Sequence, residues 1–78
     1  MKEKELLEAI AKALVDHPEE VAVHVVEGEE VIVLELRVHP TDVGKVIGKH
    51  GRTTQCMRII LSAVGMKNGR RVTVQILE

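Results

Sequence analysis

The spacing of apolar residues changes twice along this chain, and each change marks a new kind of element. Leu6, Leu7, Ile10, Ala13 and Leu14 recur at helical spacing, with Glu3, Lys4, Glu8 and Lys12 largely on the other side. This predicts an amphipathic helix. It should stop near Asp16, because the residue ahead of Pro18 avoids helical geometry. Val21 to Val26 is rich in β-branched residues and predicts a strand. Glu27-Gly28-Glu29-Glu30 reads as a turn in which Gly28 is free to take a positive φ. Val31 to Val38 predicts a second strand, with Ile32, Leu34, Leu36 and Val38 on one face and Glu35 and Arg37 on the other. The two strands form a hairpin.

His39-Pro40-Thr41-Asp42 breaks the strand and can open a helix, since a proline in the first helical turn lacks only an N–H that would be unpaired there. Val43, Val46 and Ile47 give this short helix an apolar face, and Gly48-Lys49-His50-Gly51 interrupts it. A further helix is predicted from Arg52 to Val64, with Met57, Ile60, Leu61 and Val64 inward and Gly65 as its C-cap. After a polar connection at Lys67-Asn68-Gly69-Arg70, Val72, Val74 and Ile76 alternate with Thr73 and Gln75 in a last strand. The order is α-β-β-α-α-β. A two-helix crossover implies that the last strand pairs parallel with the second, which then lies at the centre. The expected architecture is α+β: a three-stranded mixed sheet with three helices on one face, forming one domain over residues 1–78.

Composition narrows the chemistry. The 78 residues include no Phe, Tyr or Trp. The core is therefore aliphatic, and no aromatic platform exists on which bases could stack. The single Cys56 cannot form an intramolecular disulfide, which fits a reducing compartment. Cys56 reads as a packing residue, and Met57 and Met66 as core or interface filler. The charged start Met1-Lys2-Glu3-Lys4-Glu5 lacks the apolar stretch of a signal peptide. No apolar run approaches the ~18 residues that span a bilayer. A soluble cytoplasmic protein without membrane partners is expected. His17, His24, His39 and His50 are scattered, with no carboxylate or thiol at ligand spacing. Neither metal nor cofactor is expected, and no catalytic motif points to an enzyme.

Charge changes the picture most. Residues 1–42 carry 11 acidic and 4 basic side chains. Residues 43–77 carry 7 basic ones (Lys45, Lys49, Arg52, Arg58, Lys67, Arg70, Arg71) and no acidic one. Such asymmetry in a near-neutral chain points to a polyanionic partner. The glycine segment lies inside the basic half. Glycines at 48 and 51 let a phosphate approach the backbone, and the following helix N-terminus favours an anion. Lys49 and His50 sit at the loop tip and Arg52 at the start of the helix. Val43, Val46 and Ile47 are expected to line an apolar groove for unstacked bases, with Lys45 and Arg58 as supporting cations.

This element order, with Val46-Ile47-Gly48-Lys49-His50-Gly51 at the helix–helix junction, resembles the type II (prokaryotic) KH domain. The likeness is closest to the KhpA family of small bacterial single-KH proteins. It covers nearly the whole chain, through Ile10 to Asp16, Val33 to Val38, Asp42 to Lys49 and Gly51-Arg52. Thr54 stands where KH domains usually place an aliphatic residue, and Thr53 where the small KH proteins tend to be apolar. The resemblance implies a groove for about four nucleotides of single-stranded RNA. It implies homodimers through the glycine loop, and heteromers with a larger RNA-binding protein that carries a KH domain beside a second nucleic-acid-binding domain. It suggests a post-transcriptional regulator or RNA chaperone. An alternative stands beside this: a protein-interaction module that pairs through the same loop and helices. Membership of a larger ribonucleoprotein or enzyme is a third, weaker reading.

Overall fold

A computed structural model describes residues 1–78 and runs α1 (Lys2–Leu14), β1 (Ala22–Glu27), β2 (Val31–Arg37), α2 (Val43–Ile47), α3 (Arg52–Lys67) and β3 (Arg71–Ile76). Short 3-10 turns sit at Pro18–Glu20, Pro40–Asp42 and Lys49–Gly51. β2 is central, antiparallel to β1 and parallel to β3, with Leu34 opposite Val25 on one side and Val74 on the other. Alternation along the strands sends Val23, Leu34, Leu36, Val72 and Val74 to one face. There they meet Leu7 and Ala11 of α1, Val46 of α2, and Met57 and Leu61 of α3 in a single cluster. The other sheet face carries Ala22, His24, Thr73 and Gln75 and is open to solvent.

The boundaries depart from the sequence reading in informative places. α1 ends at Leu14, two residues early, where Val15 turns extended (φ −98, ψ 163). Its buried stripe is Glu3, Leu7 and Ala11, while Ala13 and Leu14 stay exposed. Glu3, expected on the polar side, is buried. Asn68 Nδ2 donates to its Oε2 at 3.4 Å and Arg70 Nε lies 3.9 Å away, tying the start of α1 to the α3–β3 connection. Burial alone would raise the Glu3 pKa. Backbone and Asn68 hydrogen bonds and the Arg70 charge outweigh it, and the pKa is lowered. Gly28 does not adopt a positive φ. Its N–H donates to the Val31 carbonyl at 2.9 Å, and a Cβ there would lie 3.0 Å from that oxygen, so room rather than handedness selects glycine.

α3 continues past its expected end to Lys67. Its buried stripe is Thr54, Met57, Leu61 and Gly65, which leaves Ile60 on the exposed flank at 47%. Cys56 is exposed rather than packed. Gly65 is not the cap; the left-handed glycine beyond the helix is Gly69 (φ 73). Gly65 is where α3 touches β3. A Cβ there would come within 2.7 Å of Val72 Cγ2 and 3.0 Å of the Arg70 carbonyl. Gly65→Ala is therefore expected to destabilise the fold by about 1–2 kcal/mol, overpacking outweighing the ~1 kcal/mol that alanine gains over glycine in a helix. Urea unfolding followed by circular dichroism checks this; an unchanged or raised midpoint would mean that the helix and strand are not in tight contact.

Candidate nucleic-acid interface

α2 stops because Gly48 takes φ 76, ψ 174, a conformation essentially closed to residues with a side chain. His50 (φ 58) and Gly51 (φ 72) then both adopt left-handed geometry and turn the chain into α3. Gly48 N–H donates to the Gly44 carbonyl at 2.9 Å and Gly51 N–H to the Gly48 carbonyl at 3.2 Å, so the loop is braced from within. The two glycines differ in their surroundings. A Cβ on Gly48 would collide with Thr53, 2.8 Å from its Cβ and 2.9 Å from its backbone nitrogen, whereas one on Gly51 would meet nothing within 4 Å. Thr54 is buried, and its hydroxyl donates to the Val46 carbonyl at 3.0 Å. It satisfies a carbonyl left over at the end of α2 and joins the two helices behind the loop. Of the two threonines that depart from the family pattern, Thr54 thus braces the loop from behind and Thr53 lies against Gly48.

Lys49, His50 and Arg52 are exposed at the start of α3. No side chain caps this helix, and its first turn contains no acidic residue. Cations at a helix N-terminus repel the positive end of its dipole. Here they concentrate positive potential around an open backbone. The remaining residues expected at the site are placed in different ways. Val46 is fully buried beneath the helices, so it is core and not groove lining. Val43 and Ile47 are half-buried. Arg58 Nε donates to the Val74 carbonyl at 3.0 Å, which lays its guanidinium along β3. Lys45 turns away towards carboxylates, 3.3 Å from Asp16 and 3.4 Å from Asp42, and their company raises its pKa. Beside Val43 lies an open depression of about 530 Å³, shared with Arg37, Val38, Pro40, Leu77 and the carboxylates Glu20 and Glu78.

Asp42 is the positioning residue that the sequence reading missed. It is fully buried at the entrance to α2. Its carboxylate accepts from the backbone N–H groups of Asp16 (3.2 Å) and His17 (3.0 Å), and pairs with His17 Nδ1 at 3.1 Å. The His17 ring stacks on His39, centroids 4.1 Å apart, and His39 Nδ1 accepts from Thr41 N–H at 3.1 Å. Burial would raise the Asp42 pKa, but the donors of Asp16, His17 and Lys45 hold it at about 2. The cluster clamps the α1–β1 connection to the helix that carries the loop. From sequence it belonged only to the segment that opens α2, and although it sits at the N-cap position its side chain makes no capping bond.

A short helix, a glycine-flanked turn and a long helix inserted between parallel strands, behind an N-terminal helix and hairpin, define a KH domain of the type II arrangement. The family model for the KhpA/KhpB KH domain matches residues 4–76, and the chain belongs to that family. RNA-binding protein KhpA of Aquifex aeolicus is 51% identical over 75 residues, covering 96% of this chain and 95% of the relative. RNA-binding protein KhpA of Clostridium perfringens is 53% identical over 74 residues, covering 95% and 99%. A crystal structure of Aquifex aeolicus Era bound to GDP.AlF4- superposes with a TM-score of 0.65 at 21% identity, over 95% of this chain and 29% of that one; this likeness shows the fold alone.

Proposed function

We propose that this protein binds single-stranded RNA at the Gly48–Gly51 loop, as a post-transcriptional regulator or RNA chaperone of the bacterial cytoplasm. The observation that carries the reading is the open, left-handed backbone at Gly51, ringed by Lys49, His50 and Arg52 and feeding an uncapped helix N-terminus. Phosphates settle against this backbone, and Val43 and Ile47 offer apolar contact to unstacked bases. The relatives, RNA-binding proteins by name, support the same partner. Few phosphates are contacted, so the salt slope is expected near about −2 for three contacts. Changing Lys49 and His50 together to Asp is expected to weaken binding to single-stranded RNA by about 10-fold or more while leaving the circular dichroism spectrum intact. Unchanged affinity in the folded variant would refute the loop's role.

A second reading rests on α3, where Ile59 (62%), Ile60 (47%) and Met66 (75%) are exposed large apolar residues. Such a face fits a second copy of the chain or a larger KH-domain protein, and dimerisation would set two grooves side by side and raise avidity. Light scattering distinguishes a dimer from a monomer.

A further inference from the structure

The acidic half of the chain takes no part in the glycine loop. Residues 13–36 hold seven acidic side chains and no Lys or Arg. Most of them flank one strand. Glu19 and Glu20 stand just before β1, while Glu27, Glu29 and Glu30 stand at its end and in the hairpin turn. All five are exposed, and none pairs with a Lys or Arg. Like charges gathered on one hairpin repel one another, so a cationic partner would be stabilising there.

β1 is also an open edge. The sheet order is β1-β2-β3, so one side of β1 has no strand beside it. Gly28 N–H donates to the Val31 carbonyl, which makes these two residues a hydrogen-bonded pair of the hairpin. Such pairs recur at every second residue. Ala22, His24 and Val26 therefore bond to β2, opposite Arg37, Glu35 and Val33. The N–H and C=O groups of Val23, Val25 and Glu27 point the other way, to the free side, at steps of about 7 Å. No hydrogen bond outside the regular elements, from backbone or side chain, reaches any of the three. Folded proteins commonly blunt such an edge with Lys, Pro or a bulge. β1 has none of these, and its register with β2 is unbroken.

We infer that β1 is a docking edge for an extended basic segment of another protein, which adds a fourth strand to the sheet. β1 has six residues, so the segment matches it with about six of its own, spanning about 20 Å. Main-chain hydrogen bonds to Val23, Val25 and Glu27 hold it, and Lys or Arg at its two ends meet the glutamates that flank β1. Its middle residues, apolar or β-branched, lie beside Val26, which is 42% exposed. A second copy of this chain does not fit. Antiparallel pairing of two β1 strands about a two-fold axis would bring Glu19 and Glu20 of one beside Glu29 and Glu30 of the other, and like charges opposite one another repel. The glycine loop feeds α3, which packs on β3 at the far edge of the sheet. Docking at β1 therefore does not depend on RNA binding at the loop.

The test is amide hydrogen exchange by NMR on the full chain, alone and with a blocked synthetic peptide, Lys-Lys-Val-Thr-Val-Thr-Lys-Lys. In the free protein the amides of Val23, Val25 and Glu27 should exchange far faster than those of His24 and Val26. With the peptide at about 90% occupancy only the free tenth of the molecules exchanges, so the three edge amides should slow by about 10-fold. The peptide Lys-Lys-Pro-Pro-Pro-Pro-Lys-Lys carries the same charge but cannot donate to a ladder, and should slow none of them. Changing Glu27, Glu29 and Glu30 together to Gln alters only exposed side chains, and should weaken binding of the first peptide on the order of 10-fold. No slowing by the first peptide at millimolar concentration would overturn the docking edge. Equal slowing by both peptides would reduce it to adhesion by charge, and slow exchange of Val23 and Val25 in the free protein would show the edge already covered; either result overturns it too. Slowing that grows with protein concentration in the absence of peptide would give the edge to a second copy and overturn the basic partner.

Discussion

Gly48→Ala should cost several times more stability than Gly51→Ala, although the two glycines bracket the same turn. At Gly48 two penalties combine. The backbone at φ 76, ψ 174 is open essentially to glycine, and holding another residue there costs about 1–3 kcal/mol. The added methyl would also press on Thr53, whose backbone nitrogen, 2.9 Å away, belongs to the first turn of α3 and cannot swing aside like a side-chain tip. Such overpacking adds about 1–3 kcal/mol. At Gly51 the conformation is ordinary left-handed helical (φ 72, ψ 15) and the methyl would enter open space, so the cost is about 1–2 kcal/mol. A domain of this size has a margin of only about 4–12 kcal/mol. Gly48→Ala should therefore leave a substantial unfolded population or a greatly lowered urea midpoint, while Gly51→Ala folds. The functional ranking should be different. The Gly51 methyl stands in the space proposed for a phosphate, so Gly51→Ala should lose RNA affinity out of proportion to its small stability cost. Urea unfolding and RNA anisotropy on both variants check this. Equal unfolding midpoints would show that Gly48 is not seated on Thr53.

Asp42→Ala is the second substitution with a large expected effect, and it lies outside the loop. Removing the carboxylate leaves the N–H groups of Asp16 and His17 without their acceptor and takes a counter-charge from Lys45. Both bonds are part-buried, and losing the two of them together with the ion pair is expensive. The midpoint of thermal unfolding should fall by about 10 °C or more. The same group sets an acid limit. Its pKa is lowered from 3.8 to about 2, so its contribution to stability is complete above the ordinary carboxylate value and is lost as pH falls through the folded one. The wild-type protein should lose this contribution between about pH 4 and pH 2. Asp42→Asn, which cannot titrate, should begin less stable at neutral pH and converge on the wild type at the acid end. Thermal melts of both proteins over that range measure the difference, and curves that stay parallel to the lowest pH would show that Asp42 does not supply it.

What the linear chain determined was whatever depends on neighbours. Apolar periodicity placed every helix and strand to within a few residues, the two-helix crossover implied that β3 runs parallel to β2, and the glycine spacing located the turn between α2 and α3. The sorting of charge into an acidic and a basic half is likewise a property of the string. Tertiary structure decided where the polar side chains went. Glu3 is buried because Asn68, 65 residues away, and Arg70 come to meet it. Asp42 is buried because the N–H of His17, 25 residues away, points at it. Gly65 is a contact with β3 rather than a cap, Lys45 serves an ion cluster rather than the loop, and Val46 is core rather than groove. Each outcome depends on a partner distant along the chain. A buried charge or a missing Cβ is stable only where folding brings the right donor or surface against it, and no local pattern encodes that meeting.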